Sequence, residues 1–198
     1  MSSPPESPEN AESIRSTVSA EQVVPFRPFT TNQDLDPVRL RQAFGVFPTG
    51  VVAVAAEVDG ELVGLAASSF TSVSLDPPLV SISVASTSRT WPALRRAEHL
   101  GVTILAEHQG AVCRQLAGPV ARRFADVDLT VTDDGAVVLH DGLASFDTTI
   151  YDEVQAGDHT IVLLRLHAVE QAEPDATTDP AGLPGPLVFH RSAFGSLA

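Results

Sequence analysis

The stretch Gly64–Val80, GLAASSFTSVSLDPPLV, decides how the rest of the chain is read. Small and hydroxylated residues (Ala66, Ala67, Ser68, Ser69, Thr71, Ser72, Ser74) surround a single aromatic, Phe70. The run breaks at Asp76-Pro77-Pro78 and restarts as an apolar segment. Alternation and β-branching mark it as strand. Small side chains let a ligand approach the backbone, and hydroxyls offer partners to phosphate or ring heteroatoms. Two readings stay open at this point: a strand that lines a ligand, or an ordinary buried strand in an alanine-rich protein.

Working outward, 198 residues suffice for one domain with a sizeable core. No apolar run is long enough to span a membrane, and the N-terminus has neither the basic nor the apolar region of a signal peptide. A cytoplasmic protein is the expectation. The net charge of −13 argues against a nucleic-acid partner. Every basic residue is Arg, so a Schiff-base lysine and a Lys-type phosphate loop are excluded. Arginine, hydroxyl and backbone N–H groups are left to hold phosphate. The single cysteine, Cys113, rules out an internal disulfide and lies in an apolar-periodic stretch that reads as a buried helix.

Residues 1–36 are rich in Pro, Ser, Glu and Asn and read as a disordered tail, which leaves 37–198 as one domain. Asp36-Pro37 starts a helix that runs to Gly45. A turn at Phe47–Gly50 leads into the strand Val51–Ala56, and Asp59-Gly60 makes a hairpin into Glu61–Leu65. Strands are expected at Ser68–Ser74 and Leu79–Ala85. The hydroxyl cluster Ser86–Thr90 then opens a helix to about Ala97 with Pro92 in its first turn. It reads either as an anion site at a helix N-terminus or as simple capping. Val102–Ala106 is a strand, Gln109–Leu116 a helix, and Ala121–Asp134 a mixed connection. Ala136–Leu139, Ser145–Gln155 and His159–Gln171 are strands, with the turn Ala156-Gly157-Asp158 before the last. Glu173–Pro186 is a loop and Pro186–Phe194 closes the fold. Many short strands with few helices, and no GxGxxG, indicate an antiparallel barrel rather than a Rossmann domain.

The chemistry is sparse. The histidines His99, His108, His140, His159, His167 and His190 show no paired zinc spacing, and no G-x-S-x-G is present, so no metal site and no serine nucleophile are expected. His159, placed by a turn at the start of a long strand, either meets a ligand or ends the strand. Arg122 and Arg123 either bind phosphate or sit in a solvated loop.

Several stretches together resemble the short-chain flavin reductases, the reductase partners of two-component flavin-dependent monooxygenases. They are Phe44–Val51, Gly64–Val80, Ser88–Leu94, Gly101–Ala106, Ala156–His159 and Pro186–His190. The resemblance implies a mainly β fold, a six-stranded split antiparallel barrel that binds FMN, with a few flanking helices, dimerising with the flavin near the subunit interface. It implies hydride transfer from NADH or NADPH to FMN or FAD, and delivery of reduced flavin to a partner monooxygenase by diffusion. By motif, Pro48, Thr49 and Gly50 would lie beside the flavin. Ala66, Ala67, Ser68, Ser69 and Ser72 would line its ring, and Ser86, Thr87, Ser88 and Thr90 would hold its phosphate. His159 would sit on the nicotinamide side, and no side chain need act as catalytic acid or base. Two departures stand out: Ala66 where the family often has Thr, and Arg122-Arg123-Phe124 where it often has an acid before Arg-Phe. The alternatives are a non-enzymatic flavin carrier on the same barrel, and a split-barrel flavoenzyme with tightly bound FMN and its own substrate.

Overall fold

The computed structural model describes residues 35–171 and 184–196. The fold below is that of the unit Val38–Ala198, with the start of its first helix at Pro37. The expected tail lies outside the described residues except at its last two, as does most of the expected loop after Glu173.

A short helix, α1 (Pro37–Phe44), starts at the expected proline and ends where Gly45 donates its N–H to the Arg41 carbonyl at 2.9 Å. After β1 (Thr49–Gly50), β2 (Val52–Val58) and β3 (Glu61–Ala67) form a hairpin. Its turn residues Asp59 and Gly60 both have positive φ, 55° and 79°, the geometry that an Asp-Gly pair is suited to. Next come β4 (Thr71–Leu75) and β5 (Pro78–Ala85), joined through a cis Asp76-Pro77 bond. A single helical turn, α2 (Trp91–Leu94), precedes β6 (Leu100–Ile104). Then follow α3 (Gly110–Leu116) and the small hairpin of β7 (Leu129–Val131) and β8 (Val137–Leu139). Two 13-residue strands, β9 (Ala144–Ala156) and β10 (His159–Gln171), form the longest hairpin. β11 (Val188–His190) and β12 (Ala193–Gly195) close the described chain.

Every pairing is antiparallel, and the main sheet runs β3-β2-β6-β9-β10-β5-β4. Its two edge strands, β3 and β4, are consecutive in sequence and separated only by Ser68, Ser69 and Phe70. Three residues cannot cross a flat sheet of seven strands about 4.8 Å apart, so the sheet must roll until its edges meet. The result is the expected split barrel, with β4 as a seventh strand and the seam left open along β3 and the end of β5. Here the sequence reading needs correction. Ser68–Ser74 is not one strand: its first three residues cross the seam and only Thr71–Leu75 pairs, with β5.

β2 explains the core. Its run of small apolar residues is buried on both faces, so alternation is absent. Val52, Val54, Ala56 and Val58 point into the barrel, against Ile82, Leu94, Leu100, Val102, Val162 and Leu164. Val51 and Ala53 point outward, against Leu105, Cys113, Leu116, Leu139 and Leu187. Burial of each such Val, Leu or Ile contributes about 1.5–3 kcal/mol. Cys113 is a buried helix residue as expected, and burial pushes its thiol pKa up. Close backbone approach fixes Gly101: a Cβ there would lie 2.0 Å from the Val137 carbonyl oxygen, where β8 crosses β6.

Candidate functional site

The seam holds a cavity of about 470 Å³, lined by β3 and its exit, the end of β5, the turn to α2, the C-terminal end of α3, Arg123 and His159. Its walls follow from strand parity. Just before β2 the carbonyl of Val51 accepts from Leu105, next to β6, so the even-numbered residues of β2 hydrogen-bond β3. Across the register Val52↔Ala67 and Val54↔Leu65, this turns the N–H and C=O of Gly64 and Ala66 outward into the seam. On the opposite wall β4 stops pairing after Ser81, so Ser83 and Ala85 pair with β10 alone and have no strand on the seam side, where the Ala85 carbonyl accepts the Ser88 N–H at 2.8 Å.

Two clamps hold the walls apart. At one end the Ser69 hydroxyl accepts the Ser83 N–H at 2.8 Å and donates to the Ser83 carbonyl at 3.1 Å, taking the place of a missing strand. At the other, Arg123 donates to the Gly64 carbonyl and to Thr90 Oγ1, both at 2.7 Å, and through Nε to the Gly118 carbonyl at 3.0 Å. Three of its five N–H groups are thereby engaged, which leaves two for an anion. Thr90 Oγ1, as acceptor, keeps its own proton for a ligand. Gly64 admits this arrangement because a Cβ would lie 2.5 Å from the Phe124 ring, which packs on β3 beside Arg123.

The turn Ser86–Thr90 is fixed independently. Ser88 Oγ accepts the Trp91 N–H at 3.2 Å, while Glu153 on β9 accepts from Trp91 Nε1 at 3.1 Å and from Arg95 Nε at 2.6 Å. Because α2 is one turn long rather than reaching Ala97, its dipole is too short to hold an anion. Positive charge at the cavity comes instead from Arg89 and Arg123.

His159 reaches the cavity from the β9–β10 turn. Gly157 at φ +65° makes the turn possible, and Gln155 Nε2 pins it through the carbonyls of Gly157 and His159 at 2.8 and 3.1 Å. His159 Nδ1 is 2.8 Å from Asp158 Oδ1, which orients the ring and leaves Nε2 for a ligand. That hydrogen bond and the imidazole charge hold the exposed Asp158 carboxyl below its ordinary pKa.

Of the residues singled out from sequence, Ala66, Ala67, Ser68, Ser69, Ser88, Thr90 and His159 converge on this one cavity. Ser69 does so with its hydroxyl already committed to β5. Six others do not line it. Pro48, Thr49 and Gly50 lie at and before β1, which pairs with β11 in a separate three-stranded sheet. Ser72 is on the far edge strand, opposite Val80. Ser86 and Thr87 are exposed, and Ser86 is tied to the other turn by its N–H to the Asp158 carbonyl at 2.9 Å. Arg123 was legible only as a solvated loop or a phosphate ligand; it is a strut of the site.

This geometry suits a flat, polar-edged ring carrying a phosphate. The main-chain edge of Ala66 and the N–H of Ala85, whose carbonyl accepts from Ser88, face a gap floored by Leu65, Ala67, Val84, Leu116 and Ala117, with two guanidinium groups at its rim. A flavin nucleotide has that shape and that charge, and the volume is within the usual range for a ligand site. The sequence matches the model of the flavin reductase like domain over residues 44–198. The chain belongs to that family.

Among relatives of this flavin reductase-like chain is a probable flavin reductase of Rhizobium meliloti (strain 1021). It is 41% identical over 143 residues, covering 72% of this chain and 46% of the relative. The reductase subunit of a flavin-dependent monooxygenase of Rhodococcus jostii (strain RHA1) is 32% identical over 160 residues, covering 81% and 77%. The NADH:FAD oxidoreductase of Streptomyces globisporus C-1027, solved in complex with NAD and FAD fragments, superposes with a TM-score of 0.75 at 30% identity. The match covers 87% of this chain and 98% of that one. The chain spans 46% of the length of the first relative and 60% of a second from R. meliloti.

Proposed function

We propose that this chain is an NAD(P)H:flavin oxidoreductase that reduces FMN or FAD and supplies the reduced flavin to a partner monooxygenase. The observation that carries the reading is the seam cavity, where main-chain edges, hydroxyls, two arginines and one histidine from five separate segments meet. A bound flavin supplies the hydride acceptor, and a reduced nicotinamide supplies the hydride. The protein's part is to bind and orient. The outward amides of Ala66 and Ala85 take the polar edge of the ring. Thr90, Ser88 and the free N–H groups of Arg123 take the phosphate, with Arg89 adding charge. His159 Nε2 meets the nicotinamide. Stacking two rings at contact distance provides the acceleration through orientation, without a side-chain acid or base.

Relatives that are monooxygenase reductase subunits support the partner. The absence of Lys and the reliance on main-chain contacts to the ring fit a flavin that exchanges rather than one held for life. Exposed Phe44, Phe47, Val73 and Leu75 (70%, 74%, 50% and 96%) support a homodimer, since such side chains gain by burial against a second copy. None of the helices among the described residues is long and apolar enough to cross a membrane, and a cytoplasmic site of action fits two nucleotide substrates. The test is an anaerobic assay with both flavins and both nicotinamides. Bleaching of added FMN or FAD at the expense of NADH or NADPH is expected. A purified protein that binds flavin yet bleaches it with neither nicotinamide would leave a carrier and end this reading.

A further inference from the structure

Away from the seam, three metal-ligating side chains converge. A ring nitrogen of His99 and one carboxylate oxygen each of Asp134 and Asp147 lie within 4.8 Å of one another. Local spacing does not bring them together. His99 immediately precedes β6, Asp134 sits in the turn between β7 and β8, and Asp147 lies on β9 opposite Gly101.

Each is held in place. His99 Nδ1 lies 2.6 Å from Asp147 Oδ1, and both side chains are 18% exposed. The ring of His167, from β10, packs against that of His99 with centroids 5.2 Å apart, and its Nε2 is fixed 2.8 Å from Thr149 Oγ1. The turn bearing Asp134 is rigid: Thr132 and Gly135 donate to the carbonyls of Ala136 and Thr132 at 2.8 and 3.0 Å. The Gly135 carbonyl in turn accepts the Glu57 N–H at 2.8 Å. An ion pair between His99 and Asp147 accounts for two of the three. It gives Asp134 no part, and it leaves two carboxylates facing a single imidazole.

We propose that His99, Asp134 and Asp147 bind a divalent transition-metal ion of the zinc type. One imidazole nitrogen with two carboxylates suits Zn²⁺ better than Ca²⁺ or Mg²⁺, which take oxygen ligands, and water completes the shell. The incoming ion takes the Nδ1 lone pair, and the hydrogen between Nδ1 and Oδ1 passes to Nε2 of the neutral ring. With bonds of about 2.0–2.1 Å the Nδ1–Oδ1 contact opens from 2.6 Å to about 3.3 Å. The ion ties the β7–β8 turn to β6 and β9, so it is a structural clamp, independent of flavin chemistry.

The full chain, stripped with chelator, is titrated with Zn²⁺ by calorimetry, beside Asp134→Asn. Asp134 is exposed and its loss leaves the hairpin's hydrogen bonds intact, so the variant folds and keeps its flavin reductase activity. One saturable site is expected in the wild type. Zn²⁺ affinity should fall at least about tenfold in the variant, and at equal concentration Zn²⁺ should raise the melting temperature of the wild type more than that of the variant. Equal concentrations of Ca²⁺ and Mg²⁺ should not compete. No saturable binding, or equal binding by wild type and Asp134→Asn, means an adventitious ion only and overturns the proposal.

Discussion

Arg123→Ala is the most informative single change, because it removes a strut of the cavity and the proposed phosphate ligand together. The wild-type guanidinium makes three hydrogen bonds of 2.7–3.0 Å, to Gly64, Thr90 and Gly118. In a half-buried setting where water can replace part of each bond, about 1 kcal/mol apiece gives about 3 kcal/mol of lost stability. For a domain of this size that is a fall of about 6–12 °C in melting temperature. The two N–H groups left over would take the phosphate of the proposed flavin. A charge-assisted pair of about 1.5–3 kcal/mol corresponds to a rise of about tenfold to a hundredfold in the KM for flavin. Arg123→Lys separates the two effects: it keeps charge but not the fork, so most of the stability is lost while flavin KM rises less. Thermal denaturation followed by circular dichroism, with steady-state kinetics at saturating NADH, reads both quantities. If Arg123→Ala melts with the wild type and keeps its flavin KM, Arg123 is the solvated loop residue that its sequence position allowed.

Three further outcomes follow from the geometry. His159→Ala should raise the KM for the nicotinamide while flavin affinity, measured by fluorescence quenching, stays within about twofold, the change at an exposed rim contact being small. Gly101→Ala forces a Cβ to 2.0 Å from the Val137 carbonyl; the β8 crossing must move, and soluble yield or melting temperature should collapse while Gly60→Ala, with open space around it, costs little beyond its positive φ. Asp158, with its folded pKa lowered by His159, stabilises the turn fully above the carboxylate's unfolded pKa and loses that contribution as pH falls through the lowered folded value. Acid denaturation curves of wild type and Asp158→Asn should therefore differ near neutrality and merge at low pH; curves separated by a constant amount throughout would exclude the pair as the cause.

Much of this fold was legible in the residues, for local reasons. Asp59-Gly60 can take two positive φ values, so the turn of the β2–β3 hairpin was readable to the residue, while each strand runs two residues beyond its expected end, to Val58 and Ala67. Gly157 and the long β-branched runs around it marked β9 and β10. What was not legible depends on closure of the sheet. Nothing between Ser68 and Ser74 signals a break, since the alternation runs on; the break arises because β3 and β4 occupy opposite edges of one sheet. The same holds for the site. Ser88, Thr90 and His159 stood out in their turns, which left a structural reading open, and they line the cavity. Arg123 escaped because its partners Gly64 and Thr90 lie 59 and 33 residues away, and no short-range pattern encodes such a contact. Pro48–Gly50 and Ser86-Thr87 stand outside the cavity for a related reason. Their neighbours are set by β11 and by the β9–β10 turn, which their own sequence does not reveal.

The three-residue crossing from Ser68 to Phe70 has a further consequence, for how long a ligand stays. A ring seated between β3 and β5 breaks no strand pairing when it enters or leaves, because the sheet's own connectivity keeps those edges apart. Residence time is then governed by the width of the opening, and the width by the length of the crossing. A longer crossing would let β3 and β5 drift together and zip shut, and a shorter one could not span them. Shuttle or permanent holder is on this view a matter of one loop's length, open to tuning without touching a single ligand contact.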